Sequence, residues 1–338
     1  MKSYCLLFQI GISIKMKLHQ NKALFEDAVR AASQRYQIPE IFIEKDYWVT
    51  VALYKIFHCS IANEAVFKGG TSLSKCYKLI DRFSEDVDIV VLRKEGENDN
   101  QLKKKIKTIT TAVDSAIPEF ELSGITNKMG KIRKTAHRYN QLGFGGIFGH
   151  VREFIIIEAS WLGNFEPYTK EIVSCYLTDL MIATNLDALI LEYWMQPFQV
   201  NVLSKERTFC EKIMSLVRFS QTEEPYFDLA NKIRHIYDLH MMLKDVELLL
   251  FFESTSFDNM LINVGNDDLV SFKNNNQWVV NHPSMAIIFA APETTWSKIK
   301  KSYIPFKEMV TGNLPLESEM ISTLAVIAKR LQKLNWPL

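Results

Sequence analysis

No stretch of the 338 residues reaches the roughly eighteen consecutive apolar positions that a membrane-spanning helix needs, so no membrane partner is expected. Charge of one sign is lacking too. Forty Lys and Arg offset 39 Asp and Glu, the net charge is +1, and no global field draws the chain to nucleic acid or anionic lipid. Any polynucleotide contact must come from local patches. Cysteine is sparse: Cys5, Cys59, Cys76, Cys175 and Cys210 are odd in number, far apart and without a C-x-x-C pair. That excludes a disulfide framework and points to reduced thiols in a cytoplasmic protein. His-Glu-x-x-His is absent, and no Cys/His spacing suits zinc. A Walker A loop and a Gly-x-Ser-x-Gly elbow are also missing. The segment from Gly143 to Gly149 nearly makes a dinucleotide fingerprint, but Phe148 holds the third glycine position, so a mobile hairpin loop is expected instead. Internal repeats and low-complexity tracts are absent, and the composition is that of an ordinary globular protein.

The length suits two or three domains. Tyr4 to Ile14 is mildly apolar, but Gln9 interrupts it and no small-residue cleavage site follows, which argues against a signal peptide. The regular pattern begins just after Met16, an alternative translation start. Residues 20–36 place Leu24, Ala28, Ala31 and Ala32 on one helical stripe, and Pro39 opens a second helix expected to end near His58. In that helix Ile41, Trp48, Ala52 and Leu53 point inward, and Glu44 is expected on a solvated face. Strands are expected at Ala65–Lys68, Asp86–Leu92, Phe120–Thr126, Lys131–Tyr139, Glu153–Trp161 and Glu171–Tyr176, the later ones as an antiparallel extension. A helix with Ile106, Ile109 and Val113 separates the second strand from the third. From Thr178 the pattern turns helical at 178–194, 204–219, 226–244 and 316–333, with 252–315 irregular. The boundaries that follow are 1–60 for an N-terminal helical segment, 61–177 for an α/β core and 178–338 for a mainly helical part.

The most specific segment runs from Val66 to Val91. A Gly69-Gly70 turn lets backbone N–H groups approach a phosphate, Thr71 or Ser72 caps the following helix, and Leu73, Cys76, Tyr77 and Ile80 face its core. Lys68 and Arg82 can add charge. Asp86 and Asp88 then sit two apart on a strand, on one face, with Cα atoms roughly 6.5–7 Å apart. Two such carboxylates ionise together only with a cation between them, and Mg²⁺ supplies that with oxygen ligands. Val87 and Ile89 face the core. A two-metal site needs a third carboxylate. Glu158, near the end of an otherwise apolar strand, is the candidate. A lone D-x-D is weak; joined to the Gly-Gly turn it reads as a metal–nucleotide site.

Lys68-Gly69-Gly70-Thr71-Ser72-Leu73, Arg82-Phe83-Ser84-Glu85-Asp86-Val87-Asp88 and Glu44-Lys45-Asp46-Tyr47 resemble the AbiEii/AbiGii toxin family, nucleotidyltransferases of the DNA polymerase β-like superfamily. Thr208-Phe209-Cys210-Glu211-Lys212-Ile213 and Arg234-His235-Ile236-Tyr237-Asp238-Leu239 resemble two further motifs of that family. The resemblance covers about residues 20–245 and departs at Cys210, where a larger residue is usual, and in having Glu rather than Asp as third carboxylate. It implies an α/β (α+β) mixed-sheet nucleotidyltransferase core with N-terminal helices and a helical C-terminal domain. It also implies Mg²⁺ or Mn²⁺ on Asp86, Asp88 and Glu158, and a nucleoside triphosphate (NTP) substrate on Lys68, Gly69, Gly70, Thr71, Ser72, Arg82 and Arg234. Lys212 would touch phosphate, and Asp238 would orient Lys212 or assist the attacking group. Members act in type IV toxin–antitoxin or abortive-infection (phage defence) systems, which implies a cognate antitoxin encoded nearby and an RNA acceptor, tRNA foremost. A small-molecule, antibiotic-type nucleotidyltransferase and a non-catalytic binding protein that keeps the fold are the alternatives.

Two basic clusters stand apart from these motifs. Lys128, Lys131, Arg133, Lys134 and Arg138 form a strand region without an acid, with Tyr139 available to stack on a base; Lys103, Lys104, Lys105 and Lys107 form the other. A solvated face is the default for both and an RNA-backbone contact the sharper alternative.

Overall fold

A computed structural model of the chain describes residues 16–84, 86–144, 152–270 and 277–338. Two helices lead: α1 (Lys22–Tyr36) and α2 (Glu40–Ile56). Asn21 caps α1 by accepting from the Leu24 N–H at 3.3 Å. The buried stripe of α1 is Phe25, Val29 and Ala32, turned about one position from the expected one, and Ala31 lies outside. Phe25 decides the rotation, because its ring packs on Tyr47 with centroids 4.7 Å apart. Helix α2 is buried nearly all round. Glu44 is not on a solvated face: it is only 3% exposed and accepts from the Leu142 N–H at 2.9 Å.

The centre is a seven-stranded mixed sheet in the order β3-β4-β5-β2-β1-β7-β6. Its strands are β1 (Ala65–Lys68), β2 (Asp86–Val91), β3 (Glu119–Phe120), β4 (Ile132–Arg138), β5 (Phe154–Ser160), β6 (Tyr168–Val173) and β7 (Phe198–Leu203). Strand β2 runs antiparallel to β1 and parallel to β5, and β3-β4-β5 form an antiparallel extension, although the strand expected at Phe120–Thr126 is only the two residues Glu119–Phe120. Period-2 alternation divides the strands. Val87, Ile89 and Val91 of β2, with Ile155, Ile157 and Ala159 of β5, enter a large core shared with α1, α2 and α4 (Asp99–Asp114). The opposite positions leave Asp86, Asp88 and Glu158 on the other face.

Between β1 and β2 lies the short helix α3 (Gly69–Lys75). Lys75 ties it to α2 and to the stretch after β6, through Asp46 Oδ1 at 2.6 Å, Thr50 Oγ1 at 2.6 Å and the Ser174 carbonyl at 3.0 Å. The upstream Glu-Lys-Asp-Tyr motif is therefore a packing joint.

The segment expected as one helix over 178–194 is two, α5 (Tyr176–Ala183) and α6 (Asp187–Glu192), broken where Asn185 takes φ 57°. Strand β7 follows and carries the sheet past the expected boundary at 177. The helical half contains α7 (Lys205–Phe219), α8 (Pro225–Ala230), α9 (Ile233–Met242), α10 (Val246–Glu253), α11 (Thr255–Val270), α12 (Pro292–Ile299) and α13 (Glu317–Leu331). Residues 252–315 are thus largely helical where they are described, not irregular, and their aromatic and aliphatic side chains fill a second core. No described helix is long and apolar enough to cross a membrane. Cys59, Cys76, Cys175 and Cys210 are free thiols. Cys5, the apolar start at 4–14, Glu85 and most of the Gly143–Gly149 loop lie outside the described residues.

Candidate active site

A cleft of about 300 Å³ opens between the sheet face and α7. The strand register builds its floor. Lys68 of β1 lies opposite Asp88 of β2, Asp88 opposite Glu158 of β5, and Glu158 opposite Lys134 of β4. Four charged side chains therefore form one row across four adjacent strands, with Asp86 one pleat away on the same face.

The carboxylates are held differently. Asp86 Oδ1 pairs with Arg152 Nη1 at 3.0 Å, and Glu158 Oε2 pairs with Lys134 Nζ at 3.2 Å. Asp88, between them, makes no ion pair among the described residues. Burial, then the negative charges of Glu158 and Asp86, pushes its carboxyl up to about 7. Among the described residues no three acidic, histidine or cysteine side chains stand close enough to form a ready cation cage. The donors nevertheless suit a hard divalent ion: all are carboxylate oxygens on adjoining backbone positions, and the central one makes no ion pair among the described residues.

The two glycines have a reason beyond phosphate approach. Gly69 sits at φ +81°, and a Cβ there would fall 2.2 Å from Asp88 Oδ2. A Cβ on Gly70 would fall 2.4 Å from Arg82 Nη2. The turn is bare so that a carboxylate and a guanidinium can lie against it. Thr71 and Ser72 are buried and do not line the cleft, contrary to the expectation that they face phosphate. Helix α3 already starts at Gly69, so both hydroxyls fall inside its first turn. Thr71 donates to the Asp86 carbonyl and lies 2.8 Å from the Ser84 hydroxyl, and Ser72 donates to the Gly69 carbonyl at 2.8 Å. They brace the turn against β2.

The roof is α7. Ser204 caps it by accepting from the Arg207 N–H at 3.1 Å. Phe209, Ile213, Leu216 and Val217 enter the second core, while Arg207, Glu211, Lys212, Ser215 and Arg218 recur at helical spacing on the cleft side. Lys212 Nζ reaches Asp238 Oδ2 at 2.6 Å. Asp238, fully buried in α9, also accepts both arms of Arg82, at 2.6 and 2.8 Å. Burial alone would raise the Asp238 carboxyl; Arg82 and Lys212 outweigh it and hold the group well below the usual carboxylate range. Burial, reinforced by the Arg82 and Arg234 charges, lowers Lys212 in spite of Asp238. Asp238 therefore stands behind the cleft wall and orients the two cations in front of it. Arg82 is largely committed to this pair rather than open to a phosphate. Arg234, four residues before Asp238 on the same helix, lines the cleft.

Several lining residues had no role assigned from sequence: Arg207, Glu211, Arg218, Lys232, His235 and Asp267. The α7 members could have been found, because they continue the polar stripe of Lys212. Burial, then Arg234 and Arg218, brings Lys232 down to about 8. His235 is held neutral by burial, with Lys212 adding to the effect.

The basic strand region does not form an open phosphate track. Lys128 pairs with Glu119 at 2.6 Å, Arg133 with the same carboxylate at 3.7 Å, and Arg138 lies 4.2 Å from the Phe120 ring centre. Tyr139 is buried and stacks on Trp48, with centroids 5.3 Å apart, so it cannot receive a base. Lys105 of the other cluster is buried between Glu64 and Glu97, each at 2.5 Å.

The family comparison agrees with the motif resemblance. Among solved structures the chain is similar to the nucleotidyltransferase toxin MenT4 from Mycobacterium tuberculosis H37Rv, at 16% identity and a TM-score of 0.43, over 88% of this chain and 98% of that one. No curated protein matches it. The family model described as nucleotidyl transferase AbiEii toxin, type IV TA system, matches residues 51–309, a range that holds every cleft residue named above. The chain belongs to the AbiEii family of nucleotidyltransferase toxins of type IV toxin–antitoxin systems.

Proposed function

We propose that this cleft transfers a nucleoside monophosphate from an NTP to a hydroxyl of RNA, with tRNA the leading acceptor, and that the transfer depends on Mg²⁺ or Mn²⁺. The observation that carries the reading is the register row: Asp86, Asp88 and Glu158 share one sheet face and confront Lys212 and Arg234 across a narrow cleft. A cognate antitoxin follows from membership of a type IV system.

The acceptor hydroxyl oxygen attacks the α-phosphorus as its proton passes to water, the bond to the α–β bridging oxygen breaks, and pyrophosphate leaves. A divalent cation held by Asp86, Asp88 and Glu158 would neutralise the triphosphate and the charge that develops at phosphorus. Gly69 and Gly70 leave room for the polyphosphate beside those carboxylates. Arg234 and Lys68 supply positive charge from opposite walls. Lys212, aimed by Asp238, meets the β- or γ-phosphate as the bond breaks. Positioning and charge neutralisation account for most of the rate, as in other phosphoryl-group transfers. RNA as acceptor rests on family likeness.

The test is incubation with each α-labelled triphosphate, total RNA and a cell extract. Label should enter one RNA band with one triphosphate, and Asp86→Asn should abolish it while the protein still folds. Label on a small molecule would replace the RNA acceptor, and wild-type rates for Asp86→Asn would refute the carboxylate assignment.

A further inference from the structure

Among the described residues the central carboxylate makes no ion pair, although a lysine stands opposite it. Lys68 and Asp88 are cross-strand partners, and directly opposed residues have Cβ atoms only about 5 Å apart. Lys68 nevertheless turns away. Its Nζ lies 3.4 Å from Glu211 Oε2 on α7. Glu211 is itself anchored, because its other oxygen accepts from Arg207 Nε at 3.2 Å, and Arg207, only 2% exposed, is fixed in turn by Asp267 of α11. A chain of alternating charge, Asp267–Arg207–Glu211–Lys68, thus crosses the cleft from the helical half and ends beside Asp88.

We propose that Glu211 is a positioning residue that holds the Lys68 ammonium away from Asp88 and so keeps the central carboxylate open to a divalent cation. The inference rests on the cation assignment proposed above. Without Glu211, Lys68 would face the carboxylate that the strand register sets opposite it, Asp88. An ammonium there would neutralise Asp88 and compete with the metal for its oxygens. Lys68 would also lose the orientation that points it toward a bound triphosphate.

The experiment is Mn²⁺ binding to the full chain without nucleotide, read from the free-ion electron paramagnetic resonance signal. Glu211→Gln should weaken binding about tenfold, the size of effect expected when an ammonium is brought against a carboxylate. Adding Lys68→Gln to that variant should restore the affinity, a rescue that a merely structural role for Glu211 would not give. Glu211→Asp, which keeps the charge but shortens the reach, should fall between; it preserves the test should Glu211→Gln fold poorly, with thermal melts monitoring both. Unchanged Mn²⁺ affinity in the folded Glu211 variants, or a double variant as weak as the single, would overturn the proposal. Asp88→Asn separates the two levels: wild-type Mn²⁺ binding by that variant would sink the cation assignment, and the role of Glu211 with it.

Discussion

Glu44 gives a residue-scale prediction away from the chemistry. Burial pushes its carboxyl from 4.5 up to about 7. The folded chain therefore keeps this proton over a pH range where the unfolded chain has released it, and stability falls as pH rises from about 4.5 to about 7. Glu44→Gln retains an acceptor for the Leu142 N–H and has no charge to bury. The variant should exceed wild type by about 1–3 kcal/mol near pH 8, and the difference should vanish in acid; melting temperature against pH would decide. The same residue marks how far single positions are legible. A glutamate beside large aromatics looks solvated until the partner from 98 residues away is known. Asp86, Asp88 and Glu158 were legible because strand period alone fixes which side each faces. Thr71 and Ser72 were not, because a helix starting two residues earlier reverses the use of their hydroxyls.

At the scale of elements, the buried triad of Arg82, Asp238 and Lys212 ties α9 and α7 to the segment between α3 and β2. Its central bond joins residues 156 apart in sequence, so no local pattern could announce it. Asp238→Ala would leave two buried cations facing one another. It should cost about 3–5 kcal/mol in urea unfolding, far more than loss of an exposed pair. A drop below about 1 kcal/mol would mean that water reaches the triad and takes over from the carboxylate. Strands β1, β2, β4 and β5 and helix α7 were legible, since each combines a clear period with turn residues or a cap. Strand β7 and the helices within 252–315 were obscured. The first is a short strand between two helical patterns, and the second, one helix of 16 residues followed by short ones among prolines, have apolar faces that make sense only once the second core exists. The rotation of α1 has the same origin: alanines satisfy the periodicity as well as Phe25 does, and only packing against Tyr47 chooses.

For the whole molecule, the decisive arrangement is two cores meeting at one cleft. The sheet half contributes Asp86, Asp88 and Glu158 and the helical half most of the bases, so a polyphosphate with its cation would bridge them. Binding should then stabilise the whole fold. With Mg²⁺ and a triphosphate at about a hundred times its dissociation constant, linkage supplies about 2.7 kcal/mol, and the melting temperature should rise by a few degrees. Asp88→Asn should show no such rise, and an equal rise would place the ligand elsewhere.

The pairing of β2 with its neighbours also sets a safeguard. A shift of that strand by a single residue would swing both aspartates into the interior and present Val87 and Ile89 to the cleft. Such a misassembled chain would be unstable and catalytically dead for the same cause. A member of a toxin family thus becomes dangerous to its host only after it has folded correctly.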